Sequence, residues 1–256
     1  MAHASTPPKG PNTKDPEIEL SVVVPVLNET ENIRPLIDEI QAALKDVCVY
    51  EIVYVDDGSN DGSLDLLTKL AQSMTELRVI AHARRSGQSA GVRSGVLAAR
   101  GRLIATLDGD GQNDPADIPK LLEAHREHTG TERLMVTGWR AERRDSWAKR
   151  RASRLANAIR RAMLRDDNPD TGCSLKLYER ELFLRLPYFD HMHRYLPALA
   201  KRENCAVRIV RVNHRHRTHG VSKYKIMDRL VVGLSDLLGV WWLIRRSPGP
   251  LDSKEL

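Results

Sequence analysis

Short segments rich in β-branched residues alternate with amphipathic segments from residue 18 to residue 138. The first of them, residues 18–26 (IELSVVVPV), is apolar almost throughout, which is typical of a strand buried on both faces of a sheet. Strands are predicted at residues 18–26, 51–55, 77–81, 102–107 and 134–137, and helices at residues 29–44, 61–73, 88–100 and 115–128. This order predicts an α/β fold in which helices cover a mostly parallel sheet.

The second half of the chain is more basic and less regular, with strands predicted near residues 170–178 and 206–212. The whole sequence has 40 Lys and Arg against 34 Asp and Glu, a net charge of +6. A basic balance indicates an acidic partner, such as a phosphorylated ligand, an anionic membrane or nucleic acid. Residues 140–165 concentrate the arginines, but only Trp139 and Trp147 lie among them and no nucleic-acid-binding motif occurs. We therefore expect no nucleic acid partner; a solvated helix face is the other interpretation of this run.

Four parts are predicted along the chain: a disordered arm at 1–17, an α/β domain at 18–225, an amphipathic helix at 226–246 and a tail at 247–256. The helix ends in two tryptophans and two arginines, a pattern typical of helices at a membrane interface. A helix packed on the sheet or against a second copy of the chain is the alternative. No segment reaches the ~20 apolar residues that a bilayer span needs, and we identify no secretory signal.

Acidic turns follow two of the predicted strands directly. Asp108-Gly109-Asp110 comes after residues 102–107, and Asp56-Asp57-Gly58-Ser59 comes after residues 51–55. Ligands of open α/β sheets bind outside the carboxyl ends of the strands, where both turns fall. Two carboxylates separated by one glycine suit a hard divalent cation that also binds phosphate oxygens. The alternative is an ordinary acidic turn at 108–110 and an Asx turn at 56–59.

Several common catalytic motifs are absent from the sequence. It has no G-x-G-x-x-G dinucleotide fingerprint, no phosphate-binding P-loop and no Cys/His zinc spacing. Its three cysteines are too few for a disulfide framework, which favours a reducing compartment.

Three motifs occur in a fixed order: V-V-P-V-L-N-E at 23–29, V-D-D-G-S at 55–59 and L-D-G-D-G-Q at 107–112. Together they resemble the family 2 nucleotide-sugar glycosyltransferases of GT-A fold. Later segments resemble the polyprenyl-phosphate branch, which includes dolichyl-phosphate mannosyltransferases: G-W-R at 138–140, D-T-G-C at 170–173, R-Y-L-P at 194–197, H-R-H-R at 214–217 and G-V-S-K-Y at 220–224. Gly109 and Gly111 stand where the family often has Ala and Leu, and the loop Arg85-Ser86-Gly87-Gln88 stands where it usually has an Asn-x-Gly pattern. Both departures leave the sugar specificity open.

The resemblance implies a role for each matching residue. The implied set is Pro25, Asn28, Glu29 and Asp57 for the base and ribose, Asp108, Asp110 and Gln112 for Mg²⁺ or Mn²⁺ and the nucleotide diphosphate, Arg140 for the acceptor phosphate, and Arg217, Ser222 and Lys223 on a loop over the phosphates.

The chemistry of the acceptor decides whether a catalytic base is needed. A hydroxyl acceptor must lose a proton and needs a base. A phosphate monoester, whose second pKa is about 6, is mostly a dianion near pH 7. We therefore predict that no base is essential, and Asp170 is the one candidate for that role.

The first hypothesis is an inverting transferase that moves a sugar from a UDP- or GDP-sugar to a polyprenyl phosphate. It would act in the cytoplasm, peripherally on the inner face of the membrane, alone, as a homo-oligomer or with an anchoring subunit. A transferase that glycosylates a hydroxyl of diacylglycerol or a saccharide is the second hypothesis. A non-catalytic module that binds nucleotide sugars is the third.

Overall fold

A computed structural model of the protein describes residues 17–140, 160–215, 226–247 and 249, and side chains in the last helix from residue 233. Within these ranges the strands are β1 (Leu20–Val26), β2 (Tyr50–Asp56), β3 (Leu77–Ala81), β4 (Leu103–Thr106), β5 (Leu134–Trp139), β6 (Lys176–Glu179) and β7 (Ala206–Arg211). The helices are α1 (Thr30–Leu44), α2 (Ser63–Ala71), α3 (Gln88–Ala98), α4 (Ile118–Arg126), α5 (Arg180–Arg185), α6 (Leu196–Arg202) and α7 (Ile226–Arg245). Residues 160–164 are also helical.

The described strands form one mixed sheet in the order β3-β2-β1-β4-β6-β5-β7. β1 pairs in parallel with β2 and β4, and β2 pairs in parallel with β3. β6 is antiparallel to both of its neighbours, β4 and β5, whereas β5 and β7 are parallel. The predicted α/β class with a mostly parallel sheet is confirmed.

The core lies on both faces of the sheet, as the apolar strands predict. Side chains of one face of β1, among them Val22 and Val24, pack with Ile33 and Ile37 of α1. The opposite face of β1 packs Val23 with α3 and with the helices of the second half. Alternate residues of a strand point to opposite faces, so a strand covered on both sides has to be apolar at nearly every position.

Two helices in the second half were not predicted from the sequence. α5 and α6 are each short, and α6 begins at Leu196 with Pro197 in its first turn. α3 ends at Ala98, two residues before the predicted end, because Ala99 adopts an extended conformation with ψ 143°.

The C-terminal helix α7 has one buried side and one exposed side. Leu237 and Val240 are buried in the second core cluster, and Tyr195 Oη donates to Gly233 O at 3.2 Å. Leu234, Leu238 and Trp242 are 59, 51 and 55 % exposed. The predicted amphipathic helix is therefore present, and it packs on the domain with one face. Within the described ranges, no helix is both long and apolar enough to cross a bilayer.

Candidate active site

The acidic turns lie together where β1, β2 and β4 end. Asp57 N–H donates to Val26 O at 2.8 Å, which fixes the turn after β2 against the end of β1. The turn after β4 lies on the same strand end, since a Cβ built on Gly109 would be 2.3 Å from Val26 Cγ1. Only glycine allows this close approach. The prediction that both turns share one sheet edge is confirmed.

Asp108 and Asp110 form a pair of interacting carboxyl groups. Gln88 Nε2 donates to Asp108 Oδ1 at 2.6 Å, and Gln112 N–H donates to Asp110 Oδ1 at 3.1 Å. Burial, and then the charge of Asp110, raises the pKa of Asp108 to about 6. Such a pair favours a bound cation, which would offset both the burial and the repulsion.

Asp57 faces the loop after β3. Its carboxylate contacts His82 Nδ1 at 2.8 Å and accepts hydrogen bonds of 2.8 Å from the backbone N–H groups of Ser86 and Gly87. Gln88, the next residue, is the one that donates to Asp108. The loop at 86–88 therefore joins the two acidic turns directly. The sequence did not indicate these contacts.

Asn28 and Glu29 connect two turns of the same edge. Asn28 N–H donates to Ser59 Oγ at 2.9 Å, and Asn28 Oδ1 accepts from Asn60 N–H at 2.8 Å. Asn28 adopts φ 54°, a left-handed conformation that asparagine tolerates better than most residues. Glu29 Oε2 accepts from Asn32 Nδ2 at 2.7 Å. Asp56 makes the Asx turn, accepting from Gly58 and Ser59 N–H.

A cavity of about 660 Å³ opens beside the acid pair. Among the residues predicted for the site, Pro25, Asp108 and Arg140 line it. Six other predicted and described residues are not among its lining residues: Asn28, Glu29, Asp57, Asp110, Gln112 and Asp170. The first three hold the adjoining turns in place.

Arg140 and Asp170 form a bidentate ion pair at the cavity. Arg140 Nε lies 2.7 Å from Asp170 Oδ2, and Nη2 lies 2.8 Å from Oδ1; the side chains are 13 and 5 % exposed. Asp170 is itself held by its N–H, which donates to Asn168 Oδ1 at 3.0 Å. Both carboxylate oxygens of Asp170 therefore accept hydrogen bonds from the Arg140 guanidinium, and in this structure Asp170 is the counter-ion of Arg140.

Three of the residues that line the cavity are a lysine, a histidine and an arginine that were not predicted as site residues: Lys176, His193 and Arg194. Lys176 is buried, and its ammonium donates to Cys173 O. Burial lowers its pKa, partly offset by Cys173, Asp108 and Asp170. A lysine in the otherwise apolar run Leu175–Leu177 was the available signal in the sequence, because a charged residue on a buried strand is unusual. Lys176 and Arg194, together with Arg140, give the cavity a basic wall.

The segment at 213–215 lies against the metal-binding candidates. Arg215 N–H donates to Gln112 O at 3.0 Å, and His214 forms an antiparallel bridge with Asn113. The Arg215 guanidinium contacts Glu39 at 2.6 Å and Asp114 at 2.7 Å. Arg217, Ser222 and Lys223 lie outside the described residues, as does most of the arginine-rich run, and their predicted roles stay predictions.

The residues around Asp108 fit a divalent cation only in part. Among the described residues, no group of three or more His, Cys, Asp or Glu side chains is arranged to hold a metal ion. Two carboxylates with the remaining positions left to diphosphate oxygens are a donor set that Mg²⁺ accepts. The chemistry of the pair therefore fits a cation bound together with a nucleotide.

A family model described as "Glycosyl transferase family 2" matches residues 21–186. The chain belongs to this family. It is a glycosyltransferase, as the motifs predicted. Members of this family transfer the sugar with inversion at the anomeric carbon.

Two curated relatives confirm the resemblance to the polyprenyl-phosphate branch. The chain is 37 % identical to the dodecaprenyl-phosphate galacturonate synthase of Rhizobium johnstonii, over 95 % of this chain and 72 % of that protein. It is 35 % identical to the undecaprenyl-phosphate 4-deoxy-4-formamido-L-arabinose transferase of Yersinia pestis, over 88 % of this chain and 68 % of that protein.

Solved structures agree on the fold. Glucosyl-3-phosphoglycerate synthase from Mycobacterium tuberculosis, in complex with Mg²⁺ and UDP, aligns with a TM-score of 0.64 at 20 % identity, over 92 % of this chain and 81 % of that one. The same enzyme with Mn²⁺, UDP-glucose and glycerol 3-phosphate aligns with a TM-score of 0.62 at 20 % identity, over 92 and 82 %. The predicted GT-A fold is confirmed.

Proposed function

We propose that this glycosyltransferase moves a sugar from a nucleoside diphosphate-sugar to a polyprenyl phosphate, with inversion at the anomeric carbon. The observation that carries the proposal is the cavity, which is lined both by Asp108 and by a basic wall of Arg140, Lys176 and Arg194. The two relatives, each named for transfer to a polyprenyl phosphate, support the same acceptor class.

The donor would bind on the side of Asp108 and Asp110. Departure of the diphosphate leaves negative charge, and stabilisation of that charge is the largest contribution expected to catalysis. A Mg²⁺ or Mn²⁺ ion held by Asp108, Asp110 and Gln112 would supply that stabilisation as a Lewis acid. Asn28, Glu29 and Asp57 would shape the base and ribose subsite through the turns they hold, with Pro25 lining the cavity.

The acceptor would bind on the basic side. Arg140 keeps guanidinium N–H groups beyond those engaged by Asp170, and it lines the cavity. An acceptor dianion can attack the anomeric carbon without losing a proton, since its second pKa is about 6. Asp170 would then orient Arg140 and would not remove a proton. Arg217, Ser222 and Lys223, which follow Arg215 in the sequence, would add contacts to phosphate.

The exposed side of α7 supports attachment to a membrane surface. Leu234, Leu238 and Trp242 are spaced by four residues, so they share one helix face. Arg245 stacks on Trp241, with Cζ 4.4 Å from the ring centroid, and Arg246 lies near Trp242. Apolar and aromatic residues bordered by arginine are what an interfacial helix presents to anionic lipid. A polyprenyl chain stays in the bilayer, so its phosphate would be reached from that surface.

The experiment is a panel of UDP- and GDP-sugars incubated with undecaprenyl phosphate and the purified chain, with and without EDTA. We expect a lipid-linked product from one donor, lost with EDTA and restored by Mg²⁺ or Mn²⁺. Absence of product from every donor, with binding of UDP intact, would contradict the acceptor class. Formation of product in the presence of EDTA would contradict the requirement for a divalent metal ion.

A further inference from the structure

His193 holds a fixed position at the cavity although the reaction outlined above does not use it. It lies in a 3-10 turn, Met192–Arg194, directly before α6, and it lines the cavity. Its Nδ1 is 2.7 Å from Ser89 Oγ, and its backbone N–H donates to the same oxygen at 3.3 Å. Ser89 is buried in the first turn of α3. Two contacts to one buried hydroxyl fix both the backbone and the ring of His193.

The hydroxyl of Ser89 determines which ring nitrogen carries the proton. Ser89 Oγ accepts from the backbone N–H of His193, and among the described residues its hydroxyl contacts no acceptor other than His193 Nδ1. A buried hydroxyl that fails to donate costs free energy. Ser89 therefore donates to Nδ1, and the proton of the imidazole is on Nε2.

The imidazole is held neutral. Burial, followed by the charges of Arg194, Lys176 and His191, lowers the pKa of His193 well below its usual value. A neutral ring with its proton on Nε2 is a hydrogen-bond donor at this position.

The second ring nitrogen is the one left for a ligand. Within the part of the chain that the structure describes, Nε2 has no hydrogen-bond partner, and it is not among the fully buried unpaired atoms. The ring borders a cavity whose basic wall includes Lys176 and Arg194, so the group that enters there is anionic. Phosphate oxygens are the anionic groups that the proposed function brings to this cavity.

We propose that His193 is a catalytic residue that donates a hydrogen bond from Nε2 to a phosphate oxygen of the bound substrate, with Ser89 as the positioning residue that fixes its tautomer. The inference rests on the proposed function for the identity of the phosphate, which belongs to the polyprenyl phosphate or to the donor diphosphate. A hydrogen bond to a charged group contributes about 1.5–3 kcal/mol, which corresponds to roughly 10- to 150-fold in rate or affinity.

The kinetic test compares His193→Gln, His193→Leu and Ser89→Ala with wild type. Gln keeps an N–H donor near the position of Nε2, whereas Leu has a similar volume and no donor. We expect kcat/KM to fall roughly 10- to 150-fold in His193→Leu, with partial recovery in His193→Gln. His128→Leu is the control, because His128 is partly exposed and its ring contacts Glu132 O at 2.9 Å and does not line the cavity. Equal losses in the Gln and Leu variants, with unchanged melting temperatures, would overturn the proposal.

A binding measurement keeps the inference testable if no transfer is observed. Side-chain ¹⁵N NMR of histidine distinguishes the two neutral tautomers and the protonated ring. At pH 7 we expect an Nε2–H resonance for His193 in wild type, and a mixture of tautomers in Ser89→Ala. A protonated ring, or a proton on Nδ1, would overturn the assignment.

Titration with two probes identifies the phosphate. Farnesyl phosphate is the probe for the acceptor, and UDP with Mg²⁺ is the probe for the donor. A shift of the Nε2 resonance with farnesyl phosphate alone assigns the acceptor, and a shift with UDP alone assigns the donor. No shift with either probe, although each is bound, would refute contact with phosphate. An inactive wild type that still shows the shift would count against the proposed transfer and not against the hydrogen bond.

Discussion

Replacement of Asp170 by asparagine distinguishes two possible roles of this residue, as the counter-ion of Arg140 or as a catalytic base. Asparagine has nearly the same shape and keeps one oxygen that accepts from Arg140, but it removes the negative charge and the second strong hydrogen bond. If Asp170 only orients Arg140, the variant retains the chemical step at a reduced rate.

The size of the effect follows from the geometry of the pair. One charge-assisted hydrogen bond of 2.7–2.8 Å is lost from a pair that is 13 and 5 % exposed. Such a bond contributes about 1.5–3 kcal/mol, so we expect kcat/KM for the acceptor to fall roughly 10- to 150-fold. The free energy of unfolding should fall by about 1–3 kcal/mol, because Arg140 becomes a partly buried charge without its counter-ion.

The assay is kcat/KM for the polyprenyl phosphate between pH 5 and pH 8, with denaturant unfolding as a check of the fold. Below about pH 6 the acceptor becomes protonated and the rate of wild type should fall. Asp170→Asn should fall in the same pH range, since the acceptor titrates in both proteins. Complete loss of the chemical step in a folded variant would refute the reasoning, as would loss of the acid limb of the profile.

The remaining predictions concern the acid pair, its glycine and the last helix. Asp108→Asn should abolish transfer yet stabilise the ligand-free protein. Because the pKa of Asp108 is raised from 3.8 to about 6, wild type loses stability as pH rises from about 4 to 6. In urea unfolding the difference between variant and wild type should be small near pH 4 and about 3 kcal/mol above pH 6, and equal stability at pH 7.5 would contradict this prediction. Gly109→Ala should lower the free energy of unfolding by about 1–3 kcal/mol, because a Cβ would lie 2.3 Å from Val26 Cγ1. Its control is Gly239→Ala, where nothing lies within 4 Å of the added atom. In the same urea unfolding experiment that variant should be neutral or stabilised by up to about 1 kcal/mol. Leu238→Ser should weaken co-sedimentation with vesicles that contain anionic phospholipid, while activity on a short soluble farnesyl phosphate stays near that of wild type. Unchanged vesicle binding would contradict membrane contact through this face of α7.

The sequence predicted the elements whose pattern is local. The β-branched run of residues 18–26 and the spacing of Ile33 and Ile37 predicted β1 and α1 to within two residues, because burial on both faces of a sheet or on one face of a helix fixes the polarity of each position. The acidic turns were predicted to meet because parallel strands end at one edge.

Residues brought together by the antiparallel part of the sheet could not be predicted in this way. Lys176 reaches the cavity because β6 is inserted between β4 and β5 in the opposite direction. His193 reaches it through a contact with Ser89 that spans 104 residues. Neither placement leaves a periodic pattern in the sequence, and Asp57 likewise had no local signal for its contacts with the loop at 86–88.

The choice between phosphate and hydroxyl acceptors is the most direct test of the central claim. Purified protein would be given one active nucleotide sugar with either undecaprenyl phosphate or undecaprenol, at equal concentrations in the same detergent, and lipid-linked product would be measured by mass spectrometry. We predict product from the phosphate only, since the cavity has a basic wall and the alcohol would need a base. Comparable product from undecaprenol would contradict the account.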